Sequence, residues 1–451
     1  MRRVLFLARQ FPPIGGAGVH RTLGSVSHLH AFGYSPVVVT GLAGHRDRWE
    51  PRDEELLSRV GPRVEVHRLE RSEPAGPASR VQRLRGLSPP WVYWWVDESG
   101  RLGEQVGRGA DVVYASCLPY ETAFAGARVA QALGLPWVAD LEDPWALDEM
   151  RPQPTRLHHS RMFREMRRAL ATASAVIMAA PEAAERVKAT MPELAGRVTA
   201  VPIGYEAADF VAPPAARPGE TFRIVHTGSM HTDLGEHLRR TRTRRRLLGG
   251  TAPGLDIITR SHVFVAQAVE RAIAADPALA GRIELHLAGE LTPGDRAVCE
   301  GRDFIRTPGL LGHRETVALM RSADLLFLPM HDLPPGSRAG LIPYKTFEYL
   351  AAGRPILAAV PDGDVRDMLA PLPQATLVRP SDVDGMAAAI RERAAAAPEP
   401  DAQPPAEYAR ERCVAQIAAV LDGVTDAVRE RRTSRSGHSG GERTARAPES
   451  A

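Results

Sequence analysis

Lys345 and Glu348 stand three residues apart in the run Pro343-Tyr-Lys-Thr-Phe-Glu-Tyr-Leu-Ala-Ala-Gly-Arg-Pro-Ile-Leu, which ends at Leu357. Pro343 is suited to open a helix, because the N–H it lacks would be unpaired there in any case. On that helix the lysine and the glutamate share one face near the N-terminus. A cation beside free N–H groups and the positive end of the helix dipole attracts an anion such as a phosphate. A carboxylate one turn further on is suited to accept hydrogen bonds from sugar hydroxyls. Gly353 closes the helix, and Arg354-Pro355 leads into an apolar strand. An ordinary helix–strand connection with a surface Lys and Glu has the same appearance, so other segments must decide.

Two other segments carry candidate chemistry. Gly15-Gly16-Ala17-Gly18 follows a short apolar run. Glycines let a backbone approach a ligand closely and turn its N–H groups inward; a tight turn without a ligand is the plainer reading. The spacing is not the G-x-G-x-x-G fingerprint, and the chain has no P-loop. Arg21, one turn into the next helix, is placed to meet a phosphate or an acceptor anion, or to be solvated. In Pro136-Trp-Val-Ala-Asp-Leu-Glu-Asp-Pro-Trp145 an apolar strand delivers Asp140, Glu142 and Asp143 at its carboxyl end, where sites on parallel sheets form. Asp143 as a helix or turn cap is the alternative there.

These residues need a scaffold, and the hydrophobic pattern supplies one. Strand-like runs at Val4–Ala8, Val37–Thr40, Val64–Arg68, Val112–Ala115, Trp137–Asp140, Ala175–Met178 and Val198–Val201 are separated by helical patterns such as Tyr120–Leu133 and Ser160–Thr172. Alternating strand and helix predicts a doubly wound α/β domain with a parallel sheet over residues 1–203. A Pro/Gly-dense stretch, 204–219, reads as a linker. The pattern restarts at Phe222–His226, with further strands at Ile283–Ala288 and Asp324–Pro329, giving a second such domain over 220–400. A last helical pattern runs from Tyr408 to Arg432, and residues 433–451, rich in Ser, Gly, Arg and Thr, read as a disordered tail.

Composition narrows the function. The chain has 451 residues, 44% apolar and 25% charged, enough for two or three domains. A formal net charge of +3 argues against nucleic acid. Cys117, Cys299 and Cys413 are scattered and make neither a metal-ligand spacing nor a disulfide framework, which points to a reducing compartment. The apolar run after Met1 is too short for a signal peptide, and none reaches the ~18 residues of a spanning helix. The expectation is a cytoplasmic protein, or one peripheral at the inner face of a membrane.

The Pro343–Leu357 run resembles the nucleotide-binding helix of retaining glycosyltransferases of the GT-B fold, family 4 type. The likeness extends from about Arg3 to Leu421. It is most specific over Lys345–Pro355 and weaker at Gly15-Gly16, Asp143-Pro-Trp145 and Gly228. It implies two Rossmann-like domains around a cleft, with the helix of about 405–432 crossing back to complete the first. It implies a nucleotide-diphosphate sugar of UDP or GDP type as co-substrate, no metal, no other cofactor, and a sugar, lipid-linked or small-molecule acceptor. Residue by residue, it places Gly15 and Gly16 in the cleft and Asp143 toward the donor sugar. Gly228, in His226-Thr-Gly-Ser-Met230, hugs the diphosphate. Leu310, in Gly309-Leu-Leu-Gly-His313, lies where relatives contact the nucleobase through main-chain atoms. Lys345 holds the diphosphate and Glu348 the donor. Relatives place a second phosphate cation near the helix after Gly228, and Arg260 is the candidate.

The pattern also departs from the family. Glu142 stands where a basic or imidazole side chain is usual. Many members carry a Glu-x7-Glu pair, of which Glu348 is the second; the first position is Gly340, so the loop Ala339–Ile342, with Leu341 and Ile342, is expected to offer main-chain N–H groups to the sugar or phosphate instead. An insertion, roughly Thr232–Thr259, contains Arg239-Arg-Thr-Arg-Thr-Arg-Arg-Arg246 and is expected to be a flexible loop touching anionic lipid, an acidic acceptor or nothing. The aromatic cluster Pro90-Trp-Val-Tyr-Trp-Trp95 is either core or an acceptor or membrane-contact surface. These departures keep a second class open, a non-catalytic GT-B protein that binds a nucleotide or glycan as a partner subunit. An epimerase of the same fold would need converging acid/base residues that the sequence does not show.

Overall fold

The computed structural model describes residues 1–42, 52–74, 76–211, 221–252, 254–397 and 400–438. The first sheet contains β1 (Arg2–Leu7), β2 (Tyr34–Thr40), β3 (Glu65–Arg68), β4 (Val112–Ser116), β5 (Trp137–Leu141), β6 (Ala175–Met178) and β7 (Val198–Ala200). They are parallel throughout, in the order β3-β2-β1-β4-β5-β6-β7. The second contains β8 (Phe222–Thr227), β9 (Ile283–Ala288), β10 (Ile305–Gly309), β11 (Leu325–Pro329), β12 (Ile356–Ala359) and β13 (Ala375–Val378), ordered β10-β9-β8-β11-β12-β13. The strand order reverses beside the first strand of each sheet, so the carboxyl ends of β1 and β8 flank the two crevices where ligands bind.

Helices cover both faces of each sheet, which is why the strands read as continuous apolar runs. Along β1, Leu5 and Leu7 join one core and Val4 and Phe6 another. The second of these cores is closed by Cys413, Val414, Ile417 and Leu421, from the long helix Arg410–His438. That helix packs on the first domain: Arg2 bonds Asp422 and Asp426, and the Tyr34 hydroxyl donates to Asp422 at 2.7 Å. The second sheet has the same layering, with Ile224, Leu285, Phe327 and Leu357 facing the helices Val263–Ala275 and Val383–Ala395.

Several sequence expectations change. The arginine run is not a loop but part of a helix, Thr232–Leu247. No Gly or Pro interrupts Glu236–Leu248, arginine is a good helix former, and Asp233 in the first turn and Arg244–Arg246 in the last suit the dipole. Residues 433–438, assigned to a disordered tail, continue the final helix; the rest of that tail, and linker residues 212–219, lie outside the described residues. Strands β10 and β13 were not read from the sequence. Both are sheet edges, and neither is buried enough to need an apolar run. The aromatic cluster opens the helix Pro90–Val106, with Trp95 buried and Trp91 facing the Arg9 guanidinium at 4.4 Å. Among the described residues no helix is long and apolar enough to cross a membrane.

Candidate active site

A cleft of about 510 Å³ opens between the two domains. Its first-domain wall is the turn after β1, with Gly15, Gly16 and His20, joined by Arg52–Glu54. Its second-domain wall is made from the carboxyl ends of β8, β9 and β10 and the start of the helix Tyr344–Ala352.

Glycines link those strand ends. The Gly228 N–H donates to Ala288 O at 2.8 Å, and the Gly289 N–H donates to Gly309 O at 2.8 Å. Gly228 has φ +97°, and a Cβ there would lie 3.1 Å from the Lys345 ammonium nitrogen. The glycine is therefore what lets the lysine cross the end of β8.

Lys345 Nζ lies 3.0 Å from His226 Nε2, and His226 Nδ1 lies 3.0 Å from Phe327 O. A carbonyl can only accept, so Nδ1 carries the imidazole hydrogen and Nε2 accepts from the ammonium. Burial, then the lysine's charge, hold the His226 pKa well below its ordinary value, which keeps the ring neutral. Burial also lowers Lys345 itself, to about 7; Arg260 lowers it further and Glu348 opposes this. Arg260 enters at the end of the turn Ile257–Thr259. Its pKa falls through burial, opposed by Asp143, Asp148 and Glu149. Among the described residues its guanidinium has no hydrogen-bond or ion-pair partner. Glu348 is 7% exposed, and burial raises its pKa against the charges of His313 and Lys345. Two cations and one carboxylate thus share a largely buried pocket, their polar atoms mostly unspent.

The remaining wall is aromatic and imidazole. Tyr344 stacks on His20 with ring centroids 4.5 Å apart, and His313 lies beside them at 5.3 Å from His20. His313 Nε2 meets Asp209 at 2.7 Å, and Asp209 also accepts two bonds from Arg59. Leu310, 60% exposed, and the turn to Gly312 form the outer lip.

The structure therefore gathers Gly15, Gly16, Gly228, Arg260, Leu310, Lys345 and Glu348 around one cleft. Asp143 lies off the wall, half-buried; desolvation lifts its pKa to about 6 while Arg260 opposes the rise. Leu341 and Ile342 are also off the wall. In their loop the Ala339 N–H donates to Asp362 O at 2.7 Å and the Gly340 N–H to Glu149 at 2.8 Å, so two of the amides expected for the donor serve the scaffold. Arg21 neither faces a ligand nor meets solvent: it forms a buried pair with Asp140 at 2.7 Å and donates to Val201 O. Sequence reasoning did not single out His226, His20 or Tyr344. A histidine ending a strand directly before Thr227-Gly228 was the available signal. Among the described residues no group of three or more His, Cys, Asp or Glu is disposed to hold a metal.

Residues 15–204 match the family model described as Glycosyl transferase 4-like domain, and residues 257–395 that described as Glycosyl transferases group 1. No curated protein matches the chain. Among solved structures, HepE of Anabaena in complex with UDP and glucose is 15% identical, covers 96% of this chain and 100% of its own, and has a TM-score of 0.53. A glycosyltransferase from Rickettsia africae is 9% identical over 94% and 98%, with a TM-score of 0.55. The N-terminal domain of Candida albicans trehalose-6-phosphate phosphatase is 10% identical over 94% and 97%, with a TM-score of 0.61. These likenesses speak for the two-domain fold, and the two matched families for its use: the chain belongs to the family 4-type glycosyltransferases of the GT-B fold.

Proposed function

We propose that this glycosyltransferase moves a sugar from a nucleotide-diphosphate sugar, of UDP type, to an acceptor with retention of anomeric configuration. The observation that carries the reading is the convergence of Lys345 and Arg260 on the glycine turn at Gly228. Two half-buried cations repel each other, and no acid among the described residues forms an ion pair with either. A diphosphate supplies the missing charge. HepE's complex with UDP supports the choice of base.

The chemistry follows from the placement of the donors. As the sugar–phosphate bond breaks, negative charge grows on the leaving diphosphate. Preorganised cations and N–H groups aimed at that charge lower the barrier without a metal. Glu348 accepts hydrogen bonds from donor hydroxyls. The acceptor attacks from the face the phosphate leaves and gives its proton to a departing phosphate oxygen, which preserves configuration with no protein nucleophile. Asp143 acts from behind Arg260, setting that cation's position and charge. The reading places the enzyme in the synthesis of cell-surface polysaccharide, glycolipid or another glycoconjugate.

The test is a thermal-shift titration with UDP, GDP and ADP, followed by donor turnover. A ligand at ~100 times its Kd adds about 2.7 kcal/mol, a visible shift. UDP raises the melting temperature of the wild type and not of Lys345→Ala, and Lys345→Ala and Glu348→Ala each abolish transfer. No shift with any nucleotide, or transfer near wild type in both variants, would refute the site.

A further inference from the structure

A second surface stands apart from the cleft. The helix Thr232–Leu247 carries six arginines between Arg239 and Arg246. Arg239 pairs with Asp256 through two bonds, 2.9 and 2.6 Å, and Arg245 donates to Thr251 O at 2.9 Å. Arg240, Arg242, Arg244 and Arg246 are exposed and have no acidic partner among the described residues. No acid follows Glu236 in the helix to offset them. Like charges three or four residues apart destabilise a helix, so internal pairing does not explain the run.

Apolar side chains lie among these cations. Leu247 is 82% exposed and Leu248 47%. The Arg156 N–H donates to Leu248 O at 3.2 Å, which sets Leu157, 81% exposed, beside them. His158 donates to Arg83 O at 3.1 Å, bringing in the short helix Arg80–Leu84 with Leu84 71% exposed. Hydrogen bonds thus join three segments, from both domains, that carry exposed leucines, and the same segments carry the exposed Arg83, Arg156, Arg244 and Arg246.

We propose that this face docks on an anionic phospholipid membrane, the arginines on headgroup phosphates and the leucines at the acyl boundary. The mixture decides the partner. Nucleic acid would match the arginines and leave the leucines wet, whereas a charged bilayer rewards both. Docking engages no residue of the nucleotide cleft.

The experiment is co-sedimentation of the full chain with vesicles of phosphatidylcholine and phosphatidylglycerol, against phosphatidylcholine alone. Binding requires the anionic lipid and weakens with salt. Arg242→Ala/Arg246→Ala lowers it about fivefold per arginine. Arg391→Ala/Arg412→Ala, an equal charge loss elsewhere on the surface, changes it much less. Leu247→Ser/Leu248→Ser, which keeps every charge, also lowers it. Equal binding to both vesicle types, equal loss in the two arginine pairs, unchanged binding in the leucine variant, or tighter binding to a short DNA duplex would each overturn the proposal. Donor turnover on a soluble acceptor is measured in parallel, so failure here stays distinct from failure of the donor site.

Discussion

Lys345 is tuned by its surroundings. With a pKa of about 7 in the free protein, the ammonium is only half protonated near neutrality. A bound diphosphate favours the charged form, so binding takes up a proton. Nucleotide Kd is therefore expected to be flat below about pH 7 and to rise above it, by up to about tenfold per pH unit, until the pKa of the complex is reached. Calorimetry in buffers of different ionisation enthalpy checks the proton uptake directly. Lys345→Ala should cost about 1.5–3 kcal/mol of nucleotide binding and remove that pH dependence. Glu142 presents the opposite case. Burial raises its carboxyl to about 8, and its Oε1 has no partner. Between its ordinary value of 4.5 and about 8 the folded state binds more protons than the unfolded one, so stability falls as pH rises through that window. Glu142→Gln should remove the fall, raising Tm by several degrees at pH above about 8 and changing little in acid; scanning calorimetry at the two ends decides. The sequence had shown Glu142 to be atypical but gave no measure of its burial.

At the scale of elements, the turn after β8 is the hinge of the site. Gly228→Ala puts a Cβ into the left-handed region, at a cost of about 1–2 kcal/mol, and within 3.1 Å of Lys345 Nζ. It should weaken nucleotide binding by more than it lowers stability, a comparison that paired titration and unfolding curves make. Much of this scaffold was legible beforehand. The buried strands declare themselves because helices on both faces force continuous apolar runs, and Pro343 and Gly353 mark the ends of the helix that bears Lys345. What could not be read depended on contacts distant in sequence. The edges β10 and β13 lack the burial that leaves a pattern. In the arginine run the solvation usual for blocks of like charge points to a loop, whereas arginine's strong helix propensity decides the outcome. For Arg21 the sequence leaves a ligand or solvent open, because nothing local shows Asp140 beneath it, 119 residues away. The histidines of the cleft likewise owe their roles to partners from other strands.

At the scale of the whole molecule, polar contacts and a shared apolar cluster join the two domains. Asp209, between the domains in sequence, accepts from Arg59 of the first and meets His313 of the second. Those partners hold its pKa down to about 2 despite burial. A depressed carboxylate stabilises above its unfolded value, and this stability is lost as pH falls toward about 2. Asp209→Asn should cost about 2 kcal/mol at neutral pH, flatten the acid limb, and enlarge the radius of gyration seen by solution scattering when no nucleotide is present. The return of the final helix has a different kind of consequence. Phe6, Tyr34 and Ile177 share their core with Val414, Ile417 and Leu421, so the first domain lacks one of its walls until the last part of the chain is made. At roughly 5–20 residues per second, a ribosome takes roughly 10–40 s to add the intervening ~200 residues. For that interval the sheet face is covered only in part, by Phe11, Val26 and Leu29 from early in the chain. A truncation just before Arg410 should therefore yield an aggregating chain rather than a smaller enzyme, which the soluble fraction of the expressed protein checks.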